Sequence, residues 1–143
     1  MPANDYLNAS SFKVSIDGIS DAEKFETVSG IGCLVEDIPF QAEEDKGIEN
    51  RPGRYNAYDI SLSRRFKGDK GLYNWFDEVK KGKRTPKSGS IILMDDEDKE
   101  VLRFNFFGSW PKSWLAPSLS KDASGNDVLL ETVVLSVKDV EMA

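Results

Sequence analysis

The sequence contains no histidine. The commonest general base and the commonest metal ligand are therefore missing, and with them most serine and cysteine triads. The single cysteine, Cys33, cannot close an internal disulfide, so nothing marks an oxidising compartment. It lies between Gly32 and Leu34 with no basic neighbour in sequence, and is expected to be a buried, inert thiol. No apolar run approaches the ~20 residues of a membrane-spanning helix, so no membrane anchor is expected. The opening Met-Pro-Ala-Asn-Asp-Tyr lacks the basic and apolar regions of a signal peptide. This points to synthesis in the cytoplasm and, if the protein leaves, to another route such as lysis. Positive charge is also in deficit: 19 Lys and Arg against 25 Asp and Glu leave a net charge of −6. Such a surface disfavours stable direct nucleic-acid binding, because phosphates need a basic partner, and favours solubility or a basic protein partner.

What is present is a globular composition. With 39% apolar and 31% charged residues, the 143-residue chain can form one domain, residues 1–143, with a real core. Its centre is expected in residues 101–114. Leu102, Phe104 and Phe106 alternate with Arg103 and Asn105, as in a half-buried strand. Phe107 and Gly108 break the alternation as a bulge or bend would, and Pro111, without an N–H, is expected to leave the ladder. Leu102, Phe104, Phe106, Trp110 and Trp114, with Trp75, are the expected core, because aromatics bury the most area. Residues 128–137, rich in β-branched side chains, read as a second long strand ending in the charged tail Lys138-Asp139-Val140-Glu141.

In chain order, residues 1–10 read as a loose arm. Phe12, Val14 and Ile16 mark a strand closed by Asp17-Gly18, and residues 24–28 and 34–40 are further strands about a bend at 29–32. Residues 42–54 are charged and end in Pro52-Gly53; they read as a long loop without structure of its own, a length often tied to function. Tyr58, Ile60 and Leu62 alternate in the next strand. A helix follows, with Asp69 as expected N-cap, Leu72, Trp75, Phe76 and Val79 on one stripe, and Gly82 closing it. Residues 90–94 form a short strand, 95–98 an acidic turn, and 117–126 a polar loop. Strands joined by short turns, with one helix, predict a mainly β fold: an antiparallel sandwich or barrel with one flanking α-helix.

Few residues suggest chemistry. The acidic run 95–98 lacks the ligand spacing of a calcium loop, and Gly30-Ile31-Gly32 is not followed by the Lys-Ser/Thr or helix start of a phosphate loop. Lys80, Lys81, Lys83, Arg84 and Lys87 form a local basic patch, read either as a solvated helix end or as an acidic-protein contact. Glu131 is in phase with Leu129, Val133, Leu135 and Val137, so it needs a partner; Arg103 or Lys112 would serve if the two long strands pair. No catalytic, cofactor-binding or metal-binding residue stands out.

Several stretches taken in order resemble the tail-tube family of contractile phages and of phage-derived contractile injection systems. They are Phe12-Lys-Val-Ser-Ile-Asp-Gly18, Phe25-Glu-Thr-Val-Ser-Gly30, Pro52-Gly53, Ile60-Ser-Leu-Ser-Arg64, Leu72 and Trp75, Trp110-Pro-Lys-Ser-Trp114, and Glu131-Thr-Val-Val-Leu135. The resemblance spans nearly the whole chain. It implies two packed antiparallel sheets with a flanking helix, six subunits per ring, and rings stacked into a tube around a lumen that carries cargo. It also implies partners: further copies of the chain, a contractile sheath, and baseplate and spike proteins. Contraction would drive the tube through a target envelope, without catalysis or cofactor.

On this reading the loop at 42–54 contacts the next ring through Glu43, Glu44, Asp45, Lys46, Ile48, Glu49 and Arg51, and Lys80, Lys81, Lys83 and Arg84 serve contacts between subunits. Acidic residues are expected to dominate the outer wall of a ring carrying a charge of 6 × −6 = −36. Two other readings of the residues stand beside it. One is a small β-rich ligand-binding module using Trp110 and Trp114 as a platform; the other is an enzyme using two of the carboxylates.

Overall fold

The computed structural model describes residues 6–19, 25–41, 47–119, 121 and 128–143. Among them are nine strands and one helix: β1 (Ser11–Ile16), β2 (Phe25–Ser29), β3 (Cys33–Phe40), β4 (Glu49–Ala57), β5 (Ile60–Arg65), α1 (Gly71–Lys80), β6 (Lys87–Met94), β7 (Glu100–Leu115), β8 (Leu130–Ser136) and β9 (Asp139–Met142). Seven strands form one antiparallel sheet in the order β1-β6-β7-β8-β5-β2, with β9 on β7; β3 and β4 form a separate two-stranded ribbon. No helix among the described residues is long and apolar enough to cross a membrane.

The long β7 organises the sheet. Its first half pairs with β6 and β9, its second half with β8. Gly108, at φ +62, makes the bend between the halves; a side chain there would be strained and would meet Lys138 Cβ at 2.8 Å. Because both halves share β7, the sheet folds back over one core. Val14, Ile91 and Phe106 come from one half, Ile60, Leu62, Val133 and Leu135 from the other, and Leu72 and Trp75 from the helix. Gly89 fits where the Phe106 ring and the Ser15 carbonyl leave no room for a Cβ.

Several expectations need correction. Pro111 does not leave the ladder: it stays in β7, fully buried opposite Leu135. The loss of its N–H is absorbed by a register shift between Pro111 and Ser113 and by the end of β6 pairing at Ser109. Of the expected core, Phe106 and Trp75 are buried and Phe104 and Trp114 pack against the cluster, but Leu102 and Trp110 are only half-buried and lie outside it. The helix N-cap is Lys70, without a side-chain cap, rather than Asp69. Gly82, at φ +89, does close the helix.

Residues 49–54 are not a loop but the first part of β4, with Pro52 and Gly53 inside the strand at a bulge. Tyr58 and residues 128–129 lie outside the strands, and the charged tail contains β9, held by pairing with β7. The expected strand residue Lys24, most of the polar loop at 117–126 and residues 1–5 of the arm lie outside the described residues.

Candidate assembly interface

The β3–β4 ribbon is the most unusual surface of the fold. In β3 the alternation of Leu34, Glu36 and Ile38 with Val35 and Asp37 places large apolar groups on both faces, and neither face is covered. Leu34, Val35, Ile38 and Tyr55 are all more than 40% exposed, and Ile48 beside the ribbon is 71% exposed. Within the ribbon, Arg51 stacks over the Phe40 ring at 3.5 Å and Asn56 Nδ2 donates to Glu36 Oε1 at 3.1 Å. A hairpin of two strands alone is marginal in water, and contiguous apolar patches on both faces mark a surface that needs a cover.

The ribbon meets the body through Tyr55 and β9. Tyr55 Oη donates to Asp139 Oδ1 at 2.9 Å and accepts the Val140 N–H at 3.5 Å. The hydrogen bond to the carboxylate pushes the phenol up to about 12. Cys33, at the start of β3, is exposed, contrary to the expected buried thiol, because the ribbon has no covered face.

Of the residues expected at the next ring, Ile48, Glu49 and Arg51 lie at or near the ribbon's far end, where Phe40 pairs with Glu49. Glu43, Glu44, Asp45 and Lys46 lie outside the described residues. The basic patch divides in two. Lys81 Nζ, 2.8 Å from Asp77 Oδ2, hydrogen-bonds that carboxylate and holds it below its usual range; Lys80 lies 3.7 Å from its other oxygen. Lys83 and Arg84 are exposed and have no ion-pair partner among the described residues.

Glu131 is fully buried, and its partner is Arg64 rather than Arg103 or Lys112. The reason is strand order. Arg64 lies directly opposite Glu131 where β5 pairs with β8, while Arg103 is held by Glu100 and Lys112 by Asp59. Trp114 Nε1 donates to the other carboxylate oxygen at 2.7 Å and its ring meets Tyr73 edge-on at 5.0 Å. Trp110 sits apart, on the wall of a cleft at the Gly108 bend. The two tryptophans therefore serve different places rather than one ligand platform.

The fold and its uncovered ribbon define a β-rich structural subunit. The chain belongs to the family described as T4-like virus tail tube protein gp19, which matches residues 8–141. No curated protein matches the chain. Among solved structures, a chain of the extended PVC sheath–tube complex of an extracellular contractile injection system aligns with TM-score 0.82 and 22% identity, over 99% of this chain and 93% of that one. A chain of the PVC sheath/tube terminator in the extended state gives 0.83 and 21%, over 99% of both chains. Hcp1 from Flavobacterium johnsoniae gives 0.62 and 16%, over 92% of this chain and 94% of that one.

Proposed function

We propose that six copies of this chain, each acting as one tail-tube domain, close into a ring and that rings stack into the inner tube of a contractile injection system or phage tail. Neighbouring sheets join through β1 and β2, two of the strands that have a single strand partner among the described residues. Edge-to-edge pairing satisfies the free backbone groups and makes one barrel around a lumen. Cargo passes through that lumen, a contractile sheath surrounds the tube, and baseplate and spike proteins close its leading end. Contraction drives the tube through the target envelope; the subunit's part is mechanical and conductive, without catalysis. The protein is made in the cytoplasm and released as part of a phage tail or tail-like particle.

The observation that carries this reading is the ribbon, apolar on both faces and joined to the body through Tyr55 and, at its base, Ala57. Further copies of the chain are its natural cover. Its far end and the segment beyond it, from Glu43 to Arg51, contact the next ring, and Lys80, Lys81, Lys83 and Arg84 lie between subunits. Acidic residues dominate the outer wall, where screened contacts of about 0–1 kcal/mol each hold the sheath loosely. Replacing residues 43–50 by a short Gly/Ser linker tests the assignment. The variant is expected to fold and to lose tubes; long tubes from it would exclude the ribbon's end as the stacking element.

A further inference from the structure

The two ends of the β6–β7 hairpin carry opposite charge. At one end, the turn between the strands holds Asp95, Asp96, Glu97 and Asp98. Asp95 Oδ1 accepts the N–H groups of Glu97 and Lys99 at 2.9 Å, so the turn is a built structure and presents its remaining carboxylates outward. Lys99 pairs with Glu97, and Arg103 nearby with Glu100; Asp96 and Asp98 have no ion-pair partner among the described residues.

At the other end, where Lys87 pairs with Ser109, lies a cleft of about 420 Å³ at the Gly108 bend. Trp110 and Pro86 are among its walls, and Arg84 and Lys138 supply two cations. No carboxylate among the described residues lines it. The neighbouring Asp139 accepts the Tyr55 hydroxyl, and neither Arg84 nor Lys138 has an ion-pair partner among the described residues. Seven steps of β6 at about 3.3 Å each separate the two ends by roughly 23 Å.

We infer that the acidic β6–β7 turn of one copy seats in the Arg84–Lys138–Trp110 cleft of a second copy. The occupant follows from charge: an acidic chain offers a narrow acidic turn at one end and a basic, aromatic-walled cleft at the other. Turn and cleft are different surfaces, so the contact is heterologous, and a heterologous contact that does not close produces an open file of subunits. The inference rests on the tube reading above. If sheet edges join around the ring, strand ends point along the tube, and the two subunits that Arg84 then lies between belong to successive rings. Complementary charge of this kind fixes orientation and register more than affinity.

The test uses two exposed charge reversals in the full chain. One variant, Asp96→Lys/Glu97→Lys, makes the turn basic. The other, Arg84→Glu/Lys138→Glu, makes the cleft acidic. Rod length is read by electron microscopy and by sedimentation, with circular dichroism to check the fold. Each variant alone is expected to lose rods and stop at single rings. Mixed in equal amounts they are expected to recover rods, because the basic turn of one fits the acidic cleft of the other. The neutral pair Asp96→Asn/Glu97→Gln, which adds no repulsion, is expected to shorten rods. Full-length rods from either reversal or from the neutral pair, or a mixture that stays as rings, overturns the inference while leaving the tube reading in place. Wild-type protein that forms neither rings nor rods overturns both.

Discussion

Arg64 and Glu131 face each other across β5 and β8, Nε to Oε1 at 2.8 Å, with the carboxylate fully buried and the guanidinium nearly so. Trp114 satisfies the second carboxylate oxygen, and Arg64 also lies 5.7 Å from the centre of the Phe25 ring. A buried pair of this kind sets the strand register more clearly than it adds stability, since desolvation offsets much of the attraction.

Breaking the pair is the costly change. Glu131→Leu leaves the Arg64 charge in the core and is expected to destabilise the fold by about 3–5 kcal/mol. Arg64→Met/Glu131→Leu together are expected to cost far less than the single change, or to stabilise. Urea unfolding of the three proteins checks this; a single variant within about 1 kcal/mol of wild type would show that the pair is not desolvated.

The placement of Glu131 also shows what the sequence makes legible. Its phase with Val133 and Leu135 is visible because one face of β8 is buried, and the same holds for β1, β5 and the stripe of α1. Its partner is not visible, because choosing Arg64 over Arg103 requires knowing that β5 lies beside β8 and that β7 pairs with β8 only through its second half, beyond Arg103. β4 escapes sequence reading because both of its faces are exposed, so Glu49, Asn50, Arg51 and Arg54 follow no hydrophobic period. β9 escapes because its strand character comes from pairing with β7 rather than from Asp139 or Glu141. Of the assembly surfaces, the local charge of residues 80–87 is readable, but the division that ties Lys80 and Lys81 to Asp77 depends on helix geometry.

Tyr55 provides a pH signature of the ribbon's attachment. Its hydroxyl, raised from an ordinary value of 10.0 to about 12 by the Asp139 hydrogen bond, favours the neutral form in the folded state. That stabilisation is complete below the unfolded value and is lost as pH rises through about 12. Ultraviolet titration is expected to show a late tyrosinate step near that pH, absent in Tyr55→Phe. Amide exchange in β3 and β4 should rise in the same variant while β5 and β8 stay protected; unchanged exchange would mean that Tyr55 does not secure the ribbon.

Gly89 tests the packing of the sheet's centre. A methyl group there meets the buried Phe106 ring and the Ser15 backbone. Gly89→Ala is expected to cost about 1–3 kcal/mol through overpacking. Gly47→Ala, where nothing lies within 4 Å, serves as the control. Thermal unfolding of the two checks the contrast, and equal stability would argue that β1 and β6 are not packed this closely.

The central claim is that this chain is complete only among copies of itself. Electron microscopy of the purified full chain, over a range of concentrations, tests it most directly. The account predicts closed rings with six-fold symmetry that stack into hollow rods, with the β3–β4 ribbon covered by neighbouring subunits. A monodisperse monomer at every concentration, with the ribbon free in solution, would contradict it.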